Sequence, residues 1–221
     1  MRKISLCVAG GVLCLLSGSC FALAQTPHPM GFFVTSEGLP GGANFGGIEK
    51  ADAHCQELAA SVGAGNRVWH AYLSQQARDG KPAIDARDRI GKGPWYNAKG
   101  VLIASNVGDL HGDNLRDRNN IQKANMLDEK GQAIKGFGDM PNEHDILTGS
   151  DSDGRAFPAG VDTTCNNWTS DGAANKAMLG HADRTGGGNV SWNSTHMSAG
   201  CSKDSLIRTG GAGHLYCFAT N

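Results

Sequence analysis

Four cysteines, Cys55, Cys165, Cys201 and Cys217, limit what this chain can fold into more than any other feature of its sequence. Three further cysteines lie in the first 24 residues, where two basic residues precede an apolar run and a small-x-small cleavage site. These are the features of a secretory signal peptide, and the apolar run is shorter than the roughly 20 residues of a membrane span. We therefore expect 1–24 to be a signal peptide and the chain to be exported, to the periplasm or outside the cell.

An even number of cysteines in an exported chain indicates disulfides rather than a catalytic thiol. Four cysteines allow three pairings, and their spacing alone does not choose among these pairings. The chain has no Cys-x-x-Cys pair, and its eight histidines form no His-x-His or His-Glu-x-x-His group. The sequence therefore predicts no firm metal site made of these residues.

Composition and charge exclude several classes of partner. The formal net charge is −1, and loss of the two basic residues of the leader makes it −3, with 18 basic against 21 acidic residues. Such a balance gives no reason to expect nucleic acid or an anionic membrane surface. Glycine supplies 32 of 221 residues, about twice its average share, without any period, which indicates a loop-rich domain.

The hydrophobic pattern predicts one main helix and several short strands, and hence an α+β domain. The helix is expected within 46–65, with Cys55 on its apolar stripe. Strands are expected within 30–38, 67–74, 100–105 and 214–220. The domain would span 31–221 after a short N-terminal segment, 25–30, with long loops between 94 and 142.

Five phrases of the sequence carry a resemblance to a known fold. They are "GGIEKADAHCQELA", "VWHAYLS", "LTGSDSDGRA", "TTCNNWTS" and "SAGCSKDSLIRTGGAGHLYCFATN". In order and spacing they resemble parts of the endostatin domain of collagens, and they are similar to bacterial secreted proteins often labelled lectins. The resemblance covers roughly 31–221 and implies a C-type lectin-like domain with a mixed antiparallel sheet. It also implies a nested pairing of cysteines, Cys55 with Cys217 and Cys165 with Cys201.

The resemblance implies an exported binding protein rather than an enzyme. We expect its ligand to be a carbohydrate, an extracellular or periplasmic glycan; the alternative is an endostatin-like module for protein binding or adhesion. No nucleophile elbow, phosphate-binding glycine loop or dinucleotide fingerprint is present in the sequence. We therefore predict no enzymatic activity and no catalytic residue.

Calcium is the ion that sugar-binding members of this fold use, and the matching triplets here lack its carboxylate ligands. The two triplets are Met140-Pro141-Asn142 and Trp192-Asn193-Ser194. Calcium takes about 6 to 8 oxygen ligands, several of them charged. The sequence thus disfavours calcium, and we expect that no cofactor is required.

Tryptophan and asparagine residues are the sequence's candidates for contact with a sugar. Flat rings can pack on the C–H faces of a sugar while amides bond its hydroxyl groups. Trp192 lies among Gly, Asn and Ser, so we predict that it is exposed. The proposed ligand-binding residues are Trp192, Asn193, Asn189, Asn142 and Trp95.

One polar run offers a weak candidate for a divalent ion. "GDLHGDNLRDRNN" brings Asp109, His111 and Asp113 together in the sequence. Carboxylates and one imidazole can bind such an ion. Runs of polar residues more commonly form a solvent-exposed loop, and we favour that interpretation here.

Overall fold

The structure is a computed structural model that describes residues 28–112, 118–186 and 190–221. The expected signal peptide lies outside these residues. The helices are α1 (Ile48–Ser61), α2 (Ala86–Arg89), α3 (Val107–His111), α4 (Cys165–Trp168) and α5 (Lys203–Thr209). The strands are β1 (Phe32–Val34), β2 (Trp69–Ala71), β3 (Trp95–Tyr96), β4 (Leu102–Ala104), β5 (Asp145–Leu147), β6 (Met178–His181), β7 (His196–Met197) and β8 (Gly211–Ala219).

The main sheet is mixed and is organised around β8. Its strand order is β1-β8-β5-β6-β7, and β2 also pairs with β8. β1 and β2 both run antiparallel to the second half of β8, whereas β5 runs parallel to its first half. β3 and β4 form a separate two-stranded sheet. The α+β class and the mixed sheet agree with the expectation from the sequence.

Strand alternation divides the apolar residues into two clusters. Successive side chains of a strand point to opposite faces. Leu215 and Cys217 therefore pack with α1, while Tyr216 and Phe218 pack in the second cluster. The second cluster also contains Trp95 and Trp192, and both are 0% exposed.

α1 forms as its apolar periodicity predicts. Ile48, Ala51, Cys55, Leu58 and Ala59 are all buried along one stripe. Glu49 in the first turn interacts favourably with the helix dipole, and the helix ends at Ser61, shortly before a glycine in the left-handed region. The predicted helix is thus confirmed.

Both disulfides have the nested pairing. Cys55 is bonded to Cys217, and Cys165 to Cys201. The first joins α1 to the last strand, and the second joins α4 to the turn before α5. No helix within the described part of the chain is long and apolar enough to cross a membrane.

Candidate functional site

The chain between 141 and 145 supplies side chains to two polar sites. Pro141 and Glu143 line a cleft beside the first half of β8. The next two residues, His144 and Asp145, belong to a cluster with His181 and His196. We call this cluster of four residues the histidine centre.

Strand pairing builds the histidine centre from residues far apart in sequence. Asp145 begins β5 and lies directly opposite His181 at the end of the antiparallel strand β6. His196 begins β7 and lies opposite Leu179, two residues before His181. Side chains that are opposite or diagonal on neighbouring strands are within contact distance. The sheet register therefore places the side chains of Asp145, His181 and His196 together, and His144 joins them from the residue just before β5.

Three imidazole nitrogens surround one carboxylate oxygen of Asp145. Oδ1 of Asp145 lies 3.2 Å from Nε2 of His181, 3.4 Å from Nε2 of His144 and 3.6 Å from Nε2 of His196. Nε2 of His181 and Nε2 of His196 are 2.9 Å apart. The Asp145, His181 and His144 side chains are buried, whereas that of His196 is 40% exposed. The centre is thus a buried cluster with one side open to solvent.

Asp183 fixes the orientation of one imidazole of the centre. Nδ1–H of His144 donates to its carboxylate over 2.9 Å. Burial alone would raise the pKa of Asp183, but hydrogen bonds from His144 and from the amides of Phe137 and Thr185 outweigh it and hold the pKa well below its usual range. Asp183 is therefore an ionised acceptor that fixes the His144 ring with Nε2 facing Asp145.

Two glycines allow the close packing around the centre. A Cβ on Gly180 would lie 1.8 Å from the carbonyl oxygen of Trp192, so only glycine fits beside that segment. Gly186 has φ +103°, and a Cβ there would lie 3.4 Å from the rings of His144 and His181. Gly180 therefore lets the 192 segment lie against β6, whereas Gly186 takes a backbone conformation that residues other than glycine rarely adopt.

The cleft has a volume of about 520 Å³ and mixes apolar with ionisable side chains. It is lined by the 36–40 loop, by His54 of α1, by Pro141 and Glu143, by Lys203 and Ile207 of α5, and by the 211–214 stretch of β8. Nε2 of His214 faces the carboxylate of Glu143 at 4.0 Å, beyond hydrogen-bond length. The imidazole nevertheless lowers the pKa of Glu143 below its usual range, so Glu143 is ionised at the cleft.

The expected exposure of Trp192 is wrong, and Trp95 offers no ring face either. Both side chains are 0% exposed. Trp192 packs between Tyr72 and Tyr216, with ring centroids 4.8 and 5.3 Å away. Trp95 packs edge-on against Phe218. Because the rings fill the second apolar cluster, a sugar cannot stack on them in this structure.

The asparagines proposed to bind the ligand do not form one site either. The side-chain amide of Asn193 is buried and donates to Tyr72 Oη and to the carbonyls of Asp151 and Ser152. Asn142 is half-buried and accepts a 3.3 Å hydrogen bond from the amide of His144. Asn189 lies outside the described residues. Asn193 therefore holds a loop in place, while Asn142 remains beside the cleft and the histidine centre.

The residues present do not fit a calcium ion at the two triplets. Asn193 uses its amide nitrogen in internal hydrogen bonds, and its Oδ1 accepts from the hydroxyl of Ser191. Neither triplet contributes a carboxylate, which calcium sites require. The two triplets therefore do not supply the ligands that a calcium ion needs.

The polar run of the 109–113 region does not form a metal site in its described part. Asp109 pairs with Arg118 over 3.5 Å. His111 is buried, with Nε2 bonded to Tyr72 Oη and Nδ1 to the carbonyl of Val107. Asp113 lies outside the described residues. Both described side chains have structural partners instead of a common centre.

Comparison with known proteins assigns no family to this chain. No model of a known protein family matches it, and no curated protein matches it either. What the cleft and the histidine centre bind must therefore follow from their own geometry.

The histidine centre is the feature that the sequence did not predict. Its members are 144, 145, 181 and 196, with no short motif among them. The usable signal was indirect: a His-Asp pair precedes the strand-like "ILTGS", and a histidine follows the strand-like "MLG". Only the register of β5 with β6 shows that these ends coincide.

Proposed function

We propose that this chain is an exported, non-enzymatic binding protein of C-type lectin-like fold, and that it binds a carbohydrate in the cleft beside β8. The observation that carries the proposal is the combination of apolar lining with an ionised acceptor, Glu143. A sugar ring has apolar C–H faces and edges of hydroxyl donors, so it needs both kinds of group.

The size and surface of the cleft suit a ligand of this class. Small-molecule sites enclose about 300 to 1,000 Å³, and the cleft has about 520 Å³. Ile207, 48% exposed on α5, and the neighbouring Leu39 and Pro40 give it an apolar wall. These side chains can pack against one face of a ring.

The charges at the cleft favour a neutral ligand rich in hydroxyl groups. Glu143 accepts hydrogen bonds, whereas the exposed ammonium of Lys203 donates them. A cationic ligand would meet repulsion from Lys203, and an anionic one repulsion from Glu143. Hydroxyl groups donate and accept, so a sugar can use both residues at once.

Export and the lectin-like fold have support from the disulfides. Structural disulfides persist in oxidising compartments outside the cytoplasm. Their nested pairing is the one that the resemblance to endostatin and secreted lectins implies. The proposal requires no calcium, because the ligand contacts are made by protein side chains.

A glycan array tests the proposal with the oxidised full chain, treated with EDTA and then assayed with calcium or zinc restored separately. We expect binding in all conditions. Glu143→Gln should weaken it about 10- to 100-fold, since hydrogen bonds to a charged group contribute about 1.5–3 kcal/mol. Ile207→Ser should weaken it too. Val161→Ser is the matched control, because Val161 is 79% exposed and lies outside the cleft.

Two results would contradict this function. Binding that returns only with calcium would mean that a calcium site holds the sugar. No binding to any glycan would reject the carbohydrate ligand and favour the alternative, a protein-binding or adhesion module.

A further inference from the structure

Several separations within the histidine centre match those of a tetrahedral metal site. Metal–ligand bonds of about 2.0–2.1 Å place neighbouring ligand atoms of a tetrahedral zinc site about 3.3 Å apart. Four of the six separations among Nε2 of the three histidines and Oδ1 of Asp145 run from 2.9 to 3.6 Å. The ligand atoms of His144, Asp145 and His181 all lie within 4.8 Å of one another, close enough to share an ion at one point, and Nε2 of His196 adjoins two of these residues.

The hydrogen-bond partners of the rings leave lone pairs directed at that point. Nδ1 of His144 donates to Asp183, and Nδ1 of His196 faces the carbonyl oxygen of Met197 at 3.2 Å. Each ring donates from Nδ1 in this bond, so in the neutral ring Nε2 bears the lone pair. Nitrogen lone pairs and a carboxylate that face one another repel unless a proton, as in the 2.9 Å contact between His181 and His196, or a metal cation lies among them.

The carboxylate of Asp145 supports the same conclusion independently. Its side chain is 1% exposed, and neither oxygen has a hydrogen-bond partner within the described ranges. A buried carboxylate is costly unless it is paired or coordinates a metal ion. The rings of His144 and His181 stack with centroids 4.2 Å apart, which disfavours two protonated imidazoles as its partners.

We infer that His144, Asp145 and His181 bind one divalent transition-metal ion of the zinc class, and that the partly exposed His196 beside them completes the site as the fourth ligand. Three imidazoles and one carboxylate are ligands that zinc and its neighbours accept, whereas calcium requires oxygen. Four protein ligands make a closed site of the structural kind. The ion would join β5, β6 and β7 at one end of the sheet. This inference is independent of the carbohydrate proposal.

Asp183 is a positioning residue of this site. It does not touch the ion but holds the His144 ring through Nδ1, as carboxylates commonly do for histidine ligands of zinc. His196 is the exposed ligand and marks the side from which the ion enters. The centre therefore has three buried ligands, one exposed ligand on its solvent side and one residue, Asp183, that orients the His144 ring.

Metal binding is measured on the oxidised full chain, stripped with EDTA, dialysed and titrated with zinc alone. We expect one zinc ion per chain. His181→Ala and Asp145→Asn should raise Kd by more than about 100-fold, and Asp183→Asn by about 10- to 100-fold, the usual effect of losing such a partner. His28→Ala is the matched control, because His28 stacks on Tyr96 and takes no part in the centre.

His196→Ala keeps the test meaningful if a buried variant fails to fold. Since His196 is 40% exposed, its loss should leave the metal-free chain folded, with unchanged thermal unfolding in EDTA. Zinc affinity should still fall at least about 10-fold. Cobalt(II) should give the intense visible absorption of a tetrahedral site in the parent and lose it in His196→Ala.

Three results would overturn the inference. Zinc binding below one ion per chain in the parent would do so, as would equal zinc affinity of the parent and His181→Ala. An octahedral cobalt spectrum would reject the four-ligand set. None of these results would bear on sugar binding by the cleft.

Discussion

At the scale of single residues, burial separates side chains that hold the fold from those that can reach a ligand. Trp192 belongs to the first kind, since its ring contacts Tyr72 and Tyr216 within the second apolar cluster. We predict that Trp192→Ala lowers the free energy of unfolding by about 3–5 kcal/mol, the usual cost of truncating a buried aromatic side chain. Urea unfolding of the oxidised chain measures this loss.

Trp192→Phe is the control for this prediction. The indole Nε1 has no hydrogen-bond partner within the described ranges, so phenylalanine removes volume without breaking such a bond. It should cost clearly less than alanine. A Trp192→Ala chain that is as stable as the parent but binds less glycan would restore Trp192 as a ligand contact.

The predicted exposure of Trp192 was wrong because the composition of the neighbouring sequence does not determine whether a side chain is buried. Its neighbours Gly, Asn and Ser suggest a surface turn. Asn193 binds Tyr72 Oη and loop carbonyls, however, and thereby satisfies buried polar groups beside the ring. A polar neighbour with internal partners is compatible with a buried tryptophan, and only long-range contacts reveal those partners.

At the scale of elements, α4 is the most unusual segment of the chain. Its four residues have φ between +49° and +64°, so it is a left-handed turn made without glycine. Such residues cost roughly 1–2 kcal/mol each. The turn is held by the disulfide at Cys165 and by Asn167, whose side-chain amide pairs with both main-chain groups of Gln76.

Asn167→Ala and Asn167→Gly test the backbone conformation of this turn. Both variants lose the two hydrogen bonds to Gln76, but only alanine, which has a Cβ, is strained in the left-handed region. We expect the glycine variant to be more stable than the alanine variant by about 1 kcal/mol in urea unfolding. Alanine equal to or better than glycine would indicate a right-handed turn, where alanine is preferred.

The elements also show what periodicity can predict. α1 followed from a repeat of 3.6 residues, and β1 and β8 from short apolar runs, because each depends on local order. The histidine centre depends on the register of β5 with β6 and of β6 with β7. Register is set by pairing between distant segments, so the four ligands could not be predicted together from the sequence.

At the scale of the whole molecule, two disulfides tie together segments that are far apart in the sequence. Cys55 and Cys217 are separated by 162 residues and join α1 to the central strand, whereas Cys165 and Cys201 are separated by 36. The sequence allowed three pairings, and the resemblance to endostatin alone indicated this one. The pairing is confirmed, and it fixes a large and a small loop whose contributions can be compared.

Replacing each cysteine pair by alanine should destabilise the chain, somewhat more for the longer loop, because the entropy of loop closure grows only with the logarithm of loop length. Chain entropy gives at most roughly 5 kcal/mol for the Cys55/Cys217 pair and roughly 4 kcal/mol for the Cys165/Cys201 pair. All four cysteines are buried in the same apolar cluster, so the difference between the variants reports mainly the difference in loop length. Urea unfolding compares the two variants with the oxidised parent, and reduction of the parent should approach the sum of both losses. An unchanged midpoint in either variant would mean that this crosslink does not stabilise the fold.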